Sequence, residues 1–142
     1  MELVELHSLT PSQAADILQL MQELNPALTV TEPMLRAVAE SDSAHLFAAV
    51  TGDGHIAGTA TLCTFVSPTG TKGKIEDVVV SSACRGQGLG RLLMNFAIGF
   101  ARKHYAPIEL ALTSNPSRVA ANRLYQALGF RYYETNVYKL DL

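Results

Sequence analysis

The stretch from Lys74 to Gly90, KIEDVVVSSACRGQGLG, constrains the fold of this chain more than any other. Its first seven residues end in Val78, Val79 and Val80, a β-branched run that suits a strand covered on both faces. Arg85, Gly86, Gln87, Gly88, Leu89 and Gly90 then lead into a helix that Arg91 continues. A strand, a glycine loop and a helix start, in that order, make an anion cradle. Residues without Cβ allow close backbone approach and positive φ, and the first N–H groups of a helix are unpaired and carry a partial positive charge. A tight strand-to-helix turn also uses glycine, but three glycines in five residues exceed what such a turn needs.

Spacing decides which phosphate ligand fits. A dinucleotide fingerprint requires G-x-G-x-x-G, and counting from Gly86 and Gly88 the last position falls on Arg91; a P-loop requires G-K-[ST], which is absent. What stands is Arg85-x-x-Gly88-x-Gly90 after a valine-rich strand, with Glu76 nine residues upstream of the arginine. This pattern resembles the acyl-CoA signature of the GNAT superfamily of acetyl-CoA-dependent N-acetyltransferases. The run from Ala121 through Leu124 and Tyr125 to Gly129 and Phe130 is similar to the family's second signature, A-x-x-L-Y-x-x-x-G-F, and lies about where the family places it. The central run Ile75-Glu76-Asp77-Val78-Val79-Val80 resembles the corresponding strand of glucosamine-6-phosphate and polyamine N-acetyltransferases.

A chain of 142 residues with 48% apolar composition makes one domain, residues 1–142, and can bury roughly two-thirds of its unfolded surface. No apolar run approaches the roughly 20 residues of a membrane span, and the acids of Met1–Glu5 do not read as a signal peptide, so a cytoplasmic protein is expected. Cys63 and Cys84 have no metal spacing and read as free thiols. None of the four histidines has a converging set of further ligands, so no metal is expected. The net charge of −2 is split between the halves: residues 1–77 hold ten acids against three bases, and residues 78–142 hold eight bases against three acids. An anionic cofactor suits the second half and a cationic amine the first, although such an imbalance also serves solubility. No basic stripe interleaved with aromatics points to nucleic acid.

In chain order, Leu3–Leu6 reads as a strand and Thr10-Pro11-Ser12-Gln13 as a capping box opening a helix, which Asn25-Pro26 stops. Ala14, Ile17, Leu18, Met21 and Leu24 give that helix its apolar face. Residues 24–31 form the candidate substrate loop, and a second helix runs from Glu32 to Glu40 with Thr31 as its cap. Strands at 46–50 and 55–65 make a hairpin, in which Gly58 marks a bulge or a close approach. The turn at 67–73 leads into the central strand. The helix after the loop carries Leu89, Leu92, Leu93, Phe96, Ala97 and Phe100 on one stripe, and residues 108–113 return as a strand through a right-handed crossover. Asn115-Pro116 starts the last helix, Gly129 ends it, and residues 130–133 and 137–140 complete the sheet as a hairpin. The expected fold is therefore α/β: a GNAT-like mixed, twisted sheet of six to seven strands with about four helices, strands four and five being parallel and splayed.

The resemblance also implies roles. The main chain of Val78, Val79 and Val80 would pair with the pantetheine arm of acetyl-CoA at a bulge, with a backbone N–H facing the reacting carbonyl oxygen. Arg85, Gly86, Gln87, Gly88, Leu89, Gly90 and Arg91 would hold the pyrophosphate. Arg118 stands where the family more often has Asn; it either joins the cofactor phosphates or is solvated. Glu76 and Asp77 point to opposite faces of a regular strand, so at most one meets the cleft, and Glu76 is the candidate to accept a proton or hold an ammonium. The alternative is an exposed or dimer-facing carboxylate. Tyr125 would return a proton to the coenzyme A sulfur, or else it is a core aromatic. The expected reaction is acetyl transfer to a primary amine, a small molecule first. The alternatives are a protein lysine or N-terminal acetyltransferase and a non-catalytic acyl-CoA sensor; a homodimer is left open.

Overall fold

A computed structural model describes all residues, Met1–Leu142. Strand β1 (Glu2–Leu6) is followed by helices α1 (Pro11–Leu24) and α2 (Glu32–Ala39), and then by β2 (Ala44–Val50), β3 (Ile56–Ser67) and β4 (Gly70–Val80). A single 3₁₀ turn at Ser82–Cys84 precedes α3 (Leu89–Tyr105), β5 (Glu109–Ala111) and α4 (Val119–Ala127). The five strands form one sheet in sequence order, antiparallel from β1 to β4 and parallel between β4 and β5. No helix is long and apolar enough to cross a membrane.

Alternation along β2 shows how both faces are covered. Leu46 and Ala48 pack with Ile17, Leu20 and Met21 of α1 and with Leu35 of α2, whereas Phe47 joins Met94, Ala97 and Ala101 of α3 on the other face. Helix α1 starts as its sequence indicates. The Thr10 hydroxyl accepts from the Gln13 N–H at 3.2 Å, and the Gln13 side chain accepts from the Thr10 N–H at 3.0 Å. Thr31 stands at the N-cap of α2, but its side chain makes no capping bond. The buried seam of α3 runs Leu89, Leu93, Ala97 and Ala101 with Met94 beside it, which turns Leu92 outward to 51% exposure.

Gly58 is a close approach. A Cβ there would lie 2.9 Å from the Val79 carbonyl oxygen and 3.0 Å from Leu93 Cδ1. Gly58→Val should therefore cost about 1–3 kcal/mol by overpacking, read as a lowered urea midpoint. An unchanged midpoint means the strand can step away from β4.

Asp16 ties α1 to the β2–β3 hairpin, its Oδ2 accepting from the Ile56 N–H at 2.9 Å and lying 3.0 Å from His55 Nδ1. The Asp16 hydrogen bond, then the charges of Asp16 and Asp53, raise the pKa of His55. Because the folded-state pKa is the higher one, stabilisation by this pair is complete below the ordinary histidine value of about 6.5 and disappears as pH rises through the elevated one. Wild type should therefore melt above His55→Gln at about pH 5.5, with the gap closing by about pH 8.5. A gap that widens with pH would contradict the pairing.

Three further expectations need correction. The turn before the central strand is tighter than 67–73: Ser67 pairs with Gly70, so β4 begins at Gly70. Asn115 does not cap α4. Its Oδ1 accepts from the Ser117 N–H at 2.9 Å, a local turn that delays the helix to Val119 and leaves Arg118 at the N-cap. The third concerns the strand count, which is five rather than six or seven. Gly129 turns at φ 102° and Phe130 packs against Tyr125, but residues 131–142 pair with no strand of the sheet. A strand exists only where a neighbour takes up its N–H and C=O groups, so the expected terminal hairpin is absent.

Candidate active site

The site opens where the central strands part. β4 and β5 pair only through Lys72–Glu109, Gly73–Leu110 and Lys74–Ala111. Beyond Lys74 the two chains diverge, and Ile75–Val78 and Leu112–Asn115 face each other across a cavity. On its other side β4 carries a bulge. Thr59 and Thr61 of β3 pair with Val79 and Glu76, so two steps on β3 oppose three on β4, and Asp77 takes φ 52°. The extra residue inverts the facing of the strand after it. Ile75 packs with α3, whereas Val79, four residues on, packs with α1.

After Val80 the chain reaches the glycine loop. Gly86 and Gly88 have φ 77° and 76°, and a Cβ at either would meet nothing within 4 Å. Gly88 is the left-handed N-cap of α3, and the first helical bond runs from Leu92 N–H to the Gly88 carbonyl. The N–H groups of Leu89, Gly90 and Arg91 consequently have no partner in the chain. Arg85 Nε donates to the Val80 carbonyl at 3.3 Å, and its Nη2 lies 3.9 Å from Glu23 Oε2, which also accepts from the Ser82 N–H at 2.9 Å.

Two adjoining cavities follow. The first, about 660 Å³, is lined by Val78, Val79, Val80, Arg85, Gly86, Gly88, Leu89, Gly90, Arg91 and Arg118. Gln87 is absent from this lining; it sits between the two left-handed glycines with its side chain exposed. The second cavity, about 470 Å³, is lined by Glu76 and Asp77 together with Leu24, Asn25 and Leu28 of the candidate substrate loop. Both residues line it, and the bulge at Asp77 breaks the alternation on which the expectation of a single cleft-facing carboxylate rested. Leu24, Val78, Arg118 and Tyr125 line both cavities. The charge split between the halves of the chain is thus reproduced in space: arginines of the second half meet the glycine loop, and carboxylates of the first half lie across the junction.

Tyr125 is only 6% exposed, with its ring edge-on to Phe130 at 6.4 Å, yet its hydroxyl takes no side-chain hydrogen bond and is not sealed from solvent. Glu23, Cys84 and Leu124 also line the first cavity, and Ser114 the second. Sequence reasoning missed all four as site residues. Glu23 lies off the apolar stripe of α1, and only the packing of that helix end against the loop places it here. The Ser114 hydroxyl is sealed from solvent without a partner. Burial, then the charges of Glu76 and Asp77, push the Cys63 thiol up, so it stays protonated; it lines neither cavity.

A splayed parallel strand pair, a phosphate-compatible loop at a helix start and an adjoining acidic cavity make the arrangement that the resemblance implies for an acyl-thioester-binding protein. The comparisons give the family. Residues 14–130 match the model of the acetyltransferase (GNAT) family, and the chain belongs to that family. It is 34% identical over 96 residues to a streptothricin acetyltransferase of Streptomyces lavendulae, covering 68% of this chain but only 49% of that protein. It is 32% identical over 111 residues to glucosamine 6-phosphate N-acetyltransferase 1 of rice, Oryza sativa subsp. japonica, covering 69% of this chain and 67% of that one. A Trypanosoma brucei acetyltransferase superposes over 99% of both chains with a TM-score of 0.76 at 28% identity.

Proposed function

We propose that this chain transfers the acetyl group of acetyl-CoA to a primary amine of a small molecule by direct attack within a ternary complex. One observation carries the reading: the cavity at the glycine loop and the cavity holding Glu76 and Asp77 meet at Val78, Arg118 and Tyr125. A donor in the first cavity and an acceptor in the second would meet at this junction. The family's acyl donor fits the first cavity on three counts. Free N–H groups start α3, Cβ-free backbone faces open space at Gly86 and Gly88, and three arginines stand against one carboxylate, Glu23.

In this reading the amine nitrogen attacks the thioester carbonyl carbon, the C–S bond breaks, one proton leaves the nitrogen and one must reach the sulfur. Glu76 takes the nitrogen's proton, directly or through water, and Asp77 helps to draw a cationic amine to the junction. A backbone N–H of the Val78–Val80 run, next to the bulge at Asp77, steadies the developing oxyanion. The Tyr125 hydroxyl protonates the departing thiolate. Arg118, shared by both cavities, fixes the phosphate-bearing donor against the acceptor.

Release of free thiol from acetyl-CoA across a panel of small amines, with lysine peptides alongside, tests the reading. Turnover should appear with small cationic amines and exceed that with peptides. Thiol release with peptides alone would assign the acceptor cavity to a protein substrate. Acetyl-CoA binding without turnover on any amine would make the chain a sensor.

A further inference from the structure

The acceptor cavity is dipolar. Glu76 and Asp77 stand on its β4 wall, and Arg118 stands on the wall formed by the chain between β5 and α4. These are the only charged residues that line it, and none of the three makes an ion pair with another or with any other residue. Opposite charges that share a cavity of about 470 Å³ without pairing leave between them a place for a ligand that carries both signs. Neutral groups follow the same division. On the Arg118 side the Ser114 hydroxyl is sealed from solvent without a partner, an unfavourable state that a turn of χ1 toward an acceptor atom relieves. The Asn115 amide has its oxygen engaged by the Ser117 N–H at 2.9 Å, which leaves its NH₂ as the unused end. One wall therefore offers donors and the other acceptors. Leu24, Leu28, Ile75 and Leu112 line the remainder and suit a short carbon body.

We propose that the acceptor is an amino acid, its ammonium drawn to Glu76 and Asp77 and its carboxylate held by Arg118 with Ser114. This rests on the acceptor reading above and adds the second group that the substrate must carry. A carboxylate fits better than a phosphate. The planar guanidinium forks onto a carboxylate through two parallel hydrogen bonds, and a zwitterion adds no net charge to a cavity that holds two carboxylates against one guanidinium. A phosphate monoester carries about −1.5 to −2 at neutral pH and would face both carboxylates with a single arginine to balance it. Arg118 is also spare at the glycine loop, where Arg85, Arg91 and the free N–H groups of α3 already stand. Transfer forms the N–C bond as the C–S bond breaks. Of the two protons that the ammonium loses, one ends on the thiol and one in solvent. The product keeps only its carboxylate, no longer complements Glu76 and Asp77, and leaves more readily than the substrate.

The test pairs each member of a panel of α- and ω-amino acids with the amine that remains when its carboxylate is removed, and adds ethanolamine phosphate. Thiol release from acetyl-CoA should favour the best amino acid over its paired amine by about 10- to 100-fold in kcat/KM, the size of a charge-assisted bond. In Arg118→Gln that ratio should fall to near one, a comparison that cancels any loss of acetyl-CoA binding common to both amines. Binding is read separately. With coenzyme A present, the preferred amino acid should raise the melting temperature of wild type but not of Arg118→Gln. Plain amines that match their amino acids, a ratio that survives in Arg118→Gln, or ethanolamine phosphate ahead of every amino acid overturns the proposal and leaves acetyl transfer to a small amine standing. A melting shift with amino acids but no thiol release from any amine keeps the two-signed subsite and removes the transferase reading. Neither shift nor release overturns both.

Discussion

Gly88→Val should weaken coenzyme A binding by about 10²- to 10⁴-fold while the fold survives. Two consequences of the substitution have to be separated. Gly88 has φ 76°, where an L-residue costs about 1–2 kcal/mol, small beside the 5–15 kcal/mol by which a domain is usually stable. The larger effect is at the ligand. The added side chain points into open space at the head of α3, where the N–H groups of Leu89, Gly90 and Arg91 have no partner in the chain. A pyrophosphate held there accepts charge-assisted bonds worth about 1.5–3 kcal/mol each, and displacing two of them at about 1.4 kcal/mol per tenfold gives the stated range. Gly54→Val is the matched control. That glycine has φ 87°, also faces open space, and sits in the β2–β3 turn away from both cavities. Both variants should lose similar stability in a urea titration, and only Gly88→Val should lose coenzyme A in calorimetry. Equal binding by the two variants would remove the loop from cofactor recognition, and wild type that binds no acyl-CoA at millimolar concentration would end the acetyltransferase reading.

How far the sequence carries depends on whether the deciding interaction is local. The Thr10–Gln13 box, the valine run and the glycine loop are read correctly because neighbours in sequence decide them: a hydroxyl caps an amide three residues on, and a missing Cβ permits a left-handed turn. The bulge at Asp77 is set across the sheet, where Thr59 and Thr61 of β3 meet three steps of β4, and nothing in IEDVVV alone marks the extra residue. That single residue leaves both Glu76 and Asp77 on the lining of one cavity and divides Ile75 from Val79 between two cores. Glu23 enters the site for a similar reason, because the end of α1 packs against a loop some sixty residues away in sequence and its carboxylate accepts from the Ser82 N–H. The arm after Phe130 has the alternation of a strand, and alternation is legible; whether an edge is available to it is a property of the whole sheet. The end of the second signature is legible because it too is local: across the Gly129 turn the Phe130 N–H donates to the Tyr125 carbonyl at 3.1 Å, and the two rings meet edge-on.

Tyr125→Phe should lower kcat by about 10²- to 10⁴-fold with little change in acetyl-CoA affinity, the cost of losing a positioned acid. The substitution keeps the ring, which is 6% exposed, packs edge-on to Phe130 and belongs to the cluster of Phe47, Met94 and Ala97. It also leaves the backbone unchanged, where the Phe130 N–H donates to the Tyr125 carbonyl at 3.1 Å. What it removes is a hydroxyl with no side-chain partner at the junction of the two cavities. A structural hydroxyl would show the opposite signature, about 1 kcal/mol of lost stability with turnover preserved. Removing the whole ring, as in Tyr125→Ala, should cost about 3–5 kcal/mol and confound the two roles, so the conservative variant is the informative one. The rate must be read under single-turnover conditions with a working acceptor, because slow product release would mask a change in the chemical step. If the phenol is the acid, an acetyl donor with a better leaving group than coenzyme A needs its proton less, and the deficit of the variant should shrink with that donor. Full single-turnover activity in Tyr125→Phe would leave solvent or the acceptor's own ammonium to protonate the thiolate, and would reduce Tyr125 to part of the wall between the two cavities.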